Sequence, residues 1–420
     1  MDDEIVILHE TRANGSTKLG TLNAAQRREH YEDHRTGNLP KPQSRGKRRS
    51  SQPIASPSTQ ARTKAAPSRK SAEDVFWYPT QSKPPPPNYT PGLILILKHA
   101  LKKLHEKGDI QRAVLCYEKT PHIYREIYRN FLMACAALMD QQCQTLYFPL
   151  LDDPIPPGVR NLQEWIENAW DQGYDEIGSG QLGHQLVGTK TMIGTGELHV
   201  AFSSRGIPSV LVDFDFNKST KGLSALTDWV VDYFTDHSAK LGNINDALRH
   251  ASTIMTTTKM PVIMQYKGHS VTIVGYELSK TGTVNLLTYD PSKEVEKKTR
   301  DAAIAGPQSV TWSPQGLPKV RSVIGKGKRR ERSASPLSNK RSRPNDEPHD
   351  ELVITDVEDH RSGLGVQYTL NSDMIIKEFR FSAFKLRRLK EIQLLYFPMA
   401  SPLSPMEQDS RKVVSSVVGC

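Results

Sequence analysis

The stretch Met264-Gln265-Tyr266-Lys267-Gly268-His269-Ser270-Val271-Thr272-Ile273-Val274-Gly275 decides the fold. Pro261 to Gln265 and Val271 to Gly275 are β-branched, apolar runs separated by turn residues, which predicts two strands with a histidine at the mouth of the second. Working outward, Val284 to Tyr289 predicts a further strand that ends in Asp290-Pro291. Ser209-Val210-Leu211-Val212-Asp213-Phe214, bounded by Pro208 and Asn217, predicts a buried one. Ahead of the strands lie helical patterns. Thr90-Pro91 supplies an N-cap and a proline at the first helical position, followed by Leu93, Leu97, Leu101 and Leu104 on one stripe and Gly108 as a stop. Tyr128 to Met139 and Leu162 to Trp170 predict two more helices, the latter with Leu162, Trp165, Ile166 and Ala169 at helical spacing. Helices followed by a run of strands predict an α+β domain, helices packed on a mixed, partly antiparallel sheet.

The rest of the chain is polar. Among 420 residues only 37% are hydrophobic, and mean hydropathy is −0.54, low for one fully packed globule. This predicts a disordered, basic Pro/Ser-rich region over 1–90, stiffened by Pro84 to Pro87, and a disordered basic insertion over 305–350 inside one domain. The folded parts are then 91–304 and 351–400, the latter closing on Ile392-Gln393-Leu394-Leu395-Tyr396-Phe397, with 401–420 as a loose tail. No apolar run approaches the ~18 residues that span a bilayer, and Met1-Asp2-Asp3-Glu4 lacks the basic flank of a signal peptide, so no membrane partner is expected. Cys116, Cys135, Cys143 and Cys420 form no CxxC pair, which points to a reducing compartment, nucleus or cytoplasm, and no metal site or cofactor is expected.

The chemistry concentrates at two residues. An imidazole at the strand mouth, His269, can act as a general base, and a hairpin returning Asp290 beside it would fix its tautomer and stabilise the imidazolium. The alternative is an ordinary satisfied turn.

Several blocks stand in one order across about 92 to 300: Tyr128-Arg129-Asn130, Ile166-Glu167-Asn168-Ala169-Trp170 running on to Gly173-Tyr174-Asp175, Gln181-Leu182 and Gly188-Thr189-Lys190. Ile193-Gly194-Thr195-Gly196-Glu197, Val212-Asp213-Phe214, Gly268-His269-Ser270 and Asp290-Pro291 follow. This array resembles the zinc-finger ubiquitin peptidase branch of the ubiquitin-fold-modifier-specific proteases, papain-like cysteine peptidases. The resemblance implies a papain-like fold, His269 as catalytic base, Asp290 as its orienting acid, and ubiquitin, polyubiquitin or a ubiquitin-like modifier with a Gly-Gly tail as substrate. Ser292 after Asp290-Pro291 departs from the Asp-Pro-His motif of the modifier-specific branch.

The nucleophile of that family is missing. Its Tyr-Arg-Asn motif directly follows Trp-Gly-Cys-Gly, whereas Glu126 and Ile127 precede Tyr128 here, behind Tyr124-Arg125. Glutamate cannot replace a thiolate in this chemistry. The chain is therefore expected to cleave weakly or not at all. A non-catalytic ubiquitin-binding scaffold is one explanation, and a short deletion that removed the cysteine with its neighbours is the other. Asp175 and Glu197, in matched blocks, are candidate clamps for the arginines of a ubiquitin tail, or else helix-end or solvent-facing acids.

The basic runs Lys326-Gly327-Lys328-Arg329-Arg330 and Lys340-Arg341-Ser342-Arg343 have the spacing of a two-part nuclear import signal, and Arg45 to Arg49 forms a second cluster. Without interleaved aromatics, any nucleic-acid contact through them would be weak and non-specific, which leaves a basic nucleic-acid-binding adaptor as a third reading.

Overall fold

The structure, a computed structural model, describes residues 76–124, 128–217, 222–235, 252–313 and 366–419. In chain order the elements are β1 (Tyr89–Thr90), α1 (Leu93–Glu106), β2 (Ile110–Leu115), β3 (His122–Ile123), α2 (Arg129–Asp140), α3 (Tyr147–Asp152), α4 (Val159–Asp171), α5 (Glu176–Gln181) and α6 (Thr195–Ser204). Then come β4 (Val210–Asp215), α7 (Leu223–Phe234), β5 (Ile254–Thr256), β6 (Val262–Tyr266), β7 (His269–Ser279), β8 (Val284–Tyr289), α8 (Lys297–Ala305), β9 (Val310–Trp312) and β10 (Tyr368–Leu370). The last are α9 (Ser372–Phe379), β11 (Arg380–Phe381), α10 (Ala383–Leu386), β12 (Glu391–Tyr396), α11 (Pro405–Ser410) and β13 (Ser416–Val418).

One large sheet, of nine strands among the described residues, organises the rest. Its path runs β11-β8-β7-β6-β12-β4-β13, antiparallel at each step except the last, where β13 lies parallel to β4. β7 is long enough for two neighbours on one side. β6 pairs with its residues 269–273, and β2, itself parallel to β5, pairs with residues 275–279. Gly275 stands where these ladders meet, at φ +151°, and a Cβ there would sit 2.1 Å from the Val114 carbonyl oxygen, so the close approach of β2 requires glycine.

Helices pack on this sheet as the apolar periodicity predicts. α1 buries Leu93, Leu97, Leu101 and Leu104, each worth roughly 1.5–3 kcal/mol of burial. α2 is buried along its whole length, with Phe131 against Trp165 of α4 and Phe202 of α6. An amphipathic stripe is the wrong description for such a helix, because it is covered on every side and is apolar from Phe131 to Met139. The result is the mixed α+β layering read from the sequence. Among the described residues no helix is long and apolar enough to cross a membrane.

Three boundaries differ from the sequence reading. Residues 76–90, assigned there to the polar arm, belong to the fold: Trp77 is buried, packs edge-on against Tyr89, and donates from its indole N–H to the Lys83 carbonyl at 2.8 Å. The segment 401–420 is not a loose tail over its described residues. It forms α11 and β13, and Arg411 donates to the Ser209 carbonyl at 2.7 Å. Finally, residues 305–313 complete α8 and form β9, which pairs with β10. The remainder of the arm and insertion, including the basic runs at 45–49, 326–330 and 340–343, lies outside the described residues.

Candidate active site

A tight hairpin delivers the histidine. Tyr266 at the end of β6 pairs with His269 at the start of β7, and Gly268 between them takes φ +71°, a left-handed value that suits a residue without Cβ. β8 runs antiparallel beside β7, so Asp290, one residue past its end, arrives at the imidazole. His269 Nε2 lies 3.0 Å from Asp290 Oδ1. An ionised carboxylate only accepts, so this contact holds the proton on Nε2 and leaves Nδ1 with its lone pair. The side chain of His269 is about one-third exposed (34%) and that of Asp290 less so (18%), which leaves the base open to a ligand while its orienting acid is sheltered.

Asp290 is held by more than the imidazole. The Ser292 amide and hydroxyl both donate to Oδ1, at 3.0 and 2.6 Å, and Lys293 Nζ lies 3.4 Å from Oδ2. Burial alone would raise this carboxyl, but the bonds from His269 and Ser292 outweigh it and hold Asp290 well below the usual carboxylate range. Tyr266 packs edge-on to His269 with ring centroids 5.6 Å apart, and burial, reinforced by the Asp290 charge, pushes its phenol up to about 12. It is a neutral wall.

The first turn of α2 faces this hairpin. Tyr128, at φ +78°, precedes the helix, and its hydroxyl donates to the Thr191 carbonyl. Asn130 donates to the Ser270 hydroxyl at 2.8 Å and accepts from Thr272 at 2.7 Å. The loop carrying Gly188-Thr189 is fixed by Gln163 of α4, which accepts from the Gly188 amide and donates to the Thr189 carbonyl, each at 3.0 Å. Thus blocks scattered through the sequence converge on the mouth of one helix and one hairpin.

No cysteine among the described residues stands at that helix mouth. Glu126 and Ile127 lie outside the described residues. Cys135 is buried mid-helix, and burial pushes its thiol well above the ordinary value. Burial likewise takes Cys116 up to about 12, against the opposing bond with Thr120 at 3.5 Å, while Cys143 is exposed. Buried thiols of this kind are apolar filler rather than nucleophiles.

Asp175 and Glu197 are both nearly fully buried, and both cap helices. Asp175 Oδ1 accepts from the Gly178 amide at 3.2 Å at the start of α5, and Glu197 Oε2 accepts from the Gly194 amide at 2.6 Å at the start of α6. Of the roles left open by the sequence, helix-end acid is the one these bonds describe.

Two contributors escaped the sequence reading. Ser292 was legible as an Asx turn, since an aspartate two residues ahead of a serine readily accepts from its amide. His122 was not. It is fully buried under the Asp290 turn, with Nε2 3.3 Å from the Asp290 carbonyl oxygen; burial, opposed by that bond and the Asp290 charge, pushes its imidazole down to about 4. Nothing in Pro121-His122-Ile123 distinguishes it from any core histidine.

Residues 127–327 match peptidase family C78. That match covers just under half of the chain. The chain is 31% identical over 183 residues to "Zinc finger-containing ubiquitin peptidase 1" of Rattus norvegicus, covering 43% of this chain and 30% of the rat protein. Against the Homo sapiens protein of the same name, identity is 32% over 176 residues, covering 40% and 28%. "Ubiquitin carboxyl-terminal hydrolase mug105" of Schizosaccharomyces pombe matches at 31% over 140 residues, covering 33% of this chain and 50% of the yeast protein. The matches therefore span about a third to a half of these relatives. The papain-like α+β fold expected for a C78 domain is the fold described above.

Proposed function

We propose that this chain binds the C-terminal tail of ubiquitin, or of a ubiquitin-like modifier, in the cleft between the α2 mouth and the His269 hairpin, and hydrolyses it weakly or not at all. One observation carries the reading: the acid–base pair His269–Asp290 is assembled at 3.0 Å, yet the sequence immediately before Tyr128 offers glutamate and isoleucine where the family has its thiol. The bond from Nε2 to Asp290 leaves His269 Nδ1 free to take a proton, but no thiol among the described residues stands at the helix mouth to give one up. Neither buried cysteine supplies a substitute.

The test uses ubiquitin carrying a thiol-reactive group at its C-terminus, followed by intact mass measurement and peptide mapping, beside a binding titration with unmodified ubiquitin. Binding without an adduct, lost when the Gly-Gly tail is removed, is the expected result. An adduct at any cysteine that forms only with intact tail would overturn the non-catalytic reading. We extend the proposal to a nuclear location on the two-part basic run at 326–343, testable by imaging a Lys328→Ala/Arg329→Ala/Arg330→Ala variant.

A further inference from the structure

Beside Asp290 and Tyr266 the fold leaves a cavity of about 280 Å³. Val271, Val295, Phe379 and Leu389 give it an apolar wall, which charged side chains border, the exposed Lys385 and Arg388 among them. The volume suits one large apolar side chain, being at or below the lower end of small-molecule pockets.

The charges around it do not cancel. Arg380 is ion-paired with buried Glu277, donating from Nη2 at 2.9 Å, and Lys293 lies 3.4 Å from Asp290. Lys385 and Arg388 have no carboxylate partner among the described residues: Lys385 Nζ lies 5.8 Å from the Phe381 ring centroid and the Arg388 guanidinium 4.4 Å from that of Phe384. Glu378 is the remaining carboxylate of the lining, so two cations face one acid. Phe384 itself is 63% exposed, which extends the apolar surface beyond the mouth.

We propose that this cavity is a docking site for a peptide of a partner protein that inserts one large apolar side chain and flanks it with aspartates or glutamates. The apolar wall selects the anchor, and the unpaired Lys385 and Arg388 select its flanks. The proposal does not rest on the ubiquitin-tail reading.

The probe is a labelled nonapeptide with a central Leu-Phe pair between runs of Asp and Glu, titrated onto the full chain by fluorescence anisotropy. Binding should weaken about tenfold in the Lys385→Glu/Arg388→Glu variant and fall with salt, and a lysine-flanked peptide should not bind. Both substituted side chains are exposed, and the variant's ubiquitin binding should equal that of the parent, which separates failure here from failure of the ubiquitin reading. Equal peptide affinity in parent and variant, or none in the parent, overturns the proposal. The chain has its own acid-rich, aliphatic stretch, Asp350-Glu351-Leu352-Val353-Ile354-Thr355-Asp356. A tenfold gain in peptide affinity on deleting 346–360 would assign the cavity to that stretch and overturn the external partner.

Discussion

Asn130 joins the first turn of α2 to Ser270, the residue after His269, through a 2.8 Å bond from its amide nitrogen. Its carbonyl oxygen accepts from Thr272 on the same strand, so a single side chain sets the spacing between helix mouth and base. Asn130→Ala leaves the buried Thr272 hydroxyl without this partner and should cost about 1–3 kcal/mol in urea unfolding. Asn130→Asp keeps the acceptor and should cost less than the alanine variant. Equal midpoints for all three proteins would refute the assignment.

Stability should respond to acid in two separate windows. His122, pushed down to about 4, is neutral in the folded protein while the unfolded chain takes up its proton near 6.5. Its contribution is present above pH 6.5 and is lost as pH falls toward 4, by about 3 kcal/mol. His122→Leu should flatten that limb, read as unfolding free energy against pH.

The second window belongs to Asp290, whose carboxyl is depressed. Its contribution is present above the unfolded carboxylate value, near 4, and is lost at still lower pH. Ser292→Ala removes the hydroxyl donor at 2.6 Å and should move the Asp290 titration upward, as followed by carboxyl-carbon NMR. An unmoved titration would deny Ser292 this role.

Thiol accessibility gives a direct check on the absent nucleophile. Native protein treated with iodoacetamide should be modified at Cys143, whereas Cys116 and Cys135 should react only after unfolding. Rapid native modification of Cys135 would reopen it as an attacking group.

Gly275 offers a test of the sheet. Gly275→Ala forces a Cβ against the Val114 carbonyl and should destabilise by about 2–4 kcal/mol. Gly282→Ala, at φ +77° with nothing within 4 Å of its Cβ, carries only backbone strain and should cost about 1–2 kcal/mol. If the two lose equally, the close approach of β2 is not what fixes Gly275.

What the sequence made legible follows from range. Leu93 to Leu104 and the strand runs at 210, 262, 271 and 284 declare themselves through local periodicity, and His269 and Asp290 through a hairpin with short connections. Trp77 and β13 do not. Trp77 sits in a proline-rich surround and is held by Tyr89 and the Lys83 carbonyl. β13 is three residues long with Val417 and Val418 half exposed, and it exists through ladder bonds to β4, about two hundred residues earlier. The capping roles of Asp175 and Glu197 were open for another reason: an acid in a matched block looks the same whether it meets a ligand or its own helix's amides.

β9 and β10 are parallel neighbours, with Trp312 beside Leu370 and the Ser313 amide bonded to the Leu370 carbonyl at 2.8 Å. The polypeptide thus departs at the end of β9 and re-enters at the start of its parallel neighbour β10. Whatever lies between 313 and 366 is attached at one spot, like a bead on a clasp. Because closing a loop whose ends the fold already holds costs little extra as it lengthens, this clasp tolerates cargo of almost any size. It is the natural place to graft a reporter, a purification handle or a second domain, and the place where lineages can lengthen or trim the chain with the peptidase scaffold undisturbed.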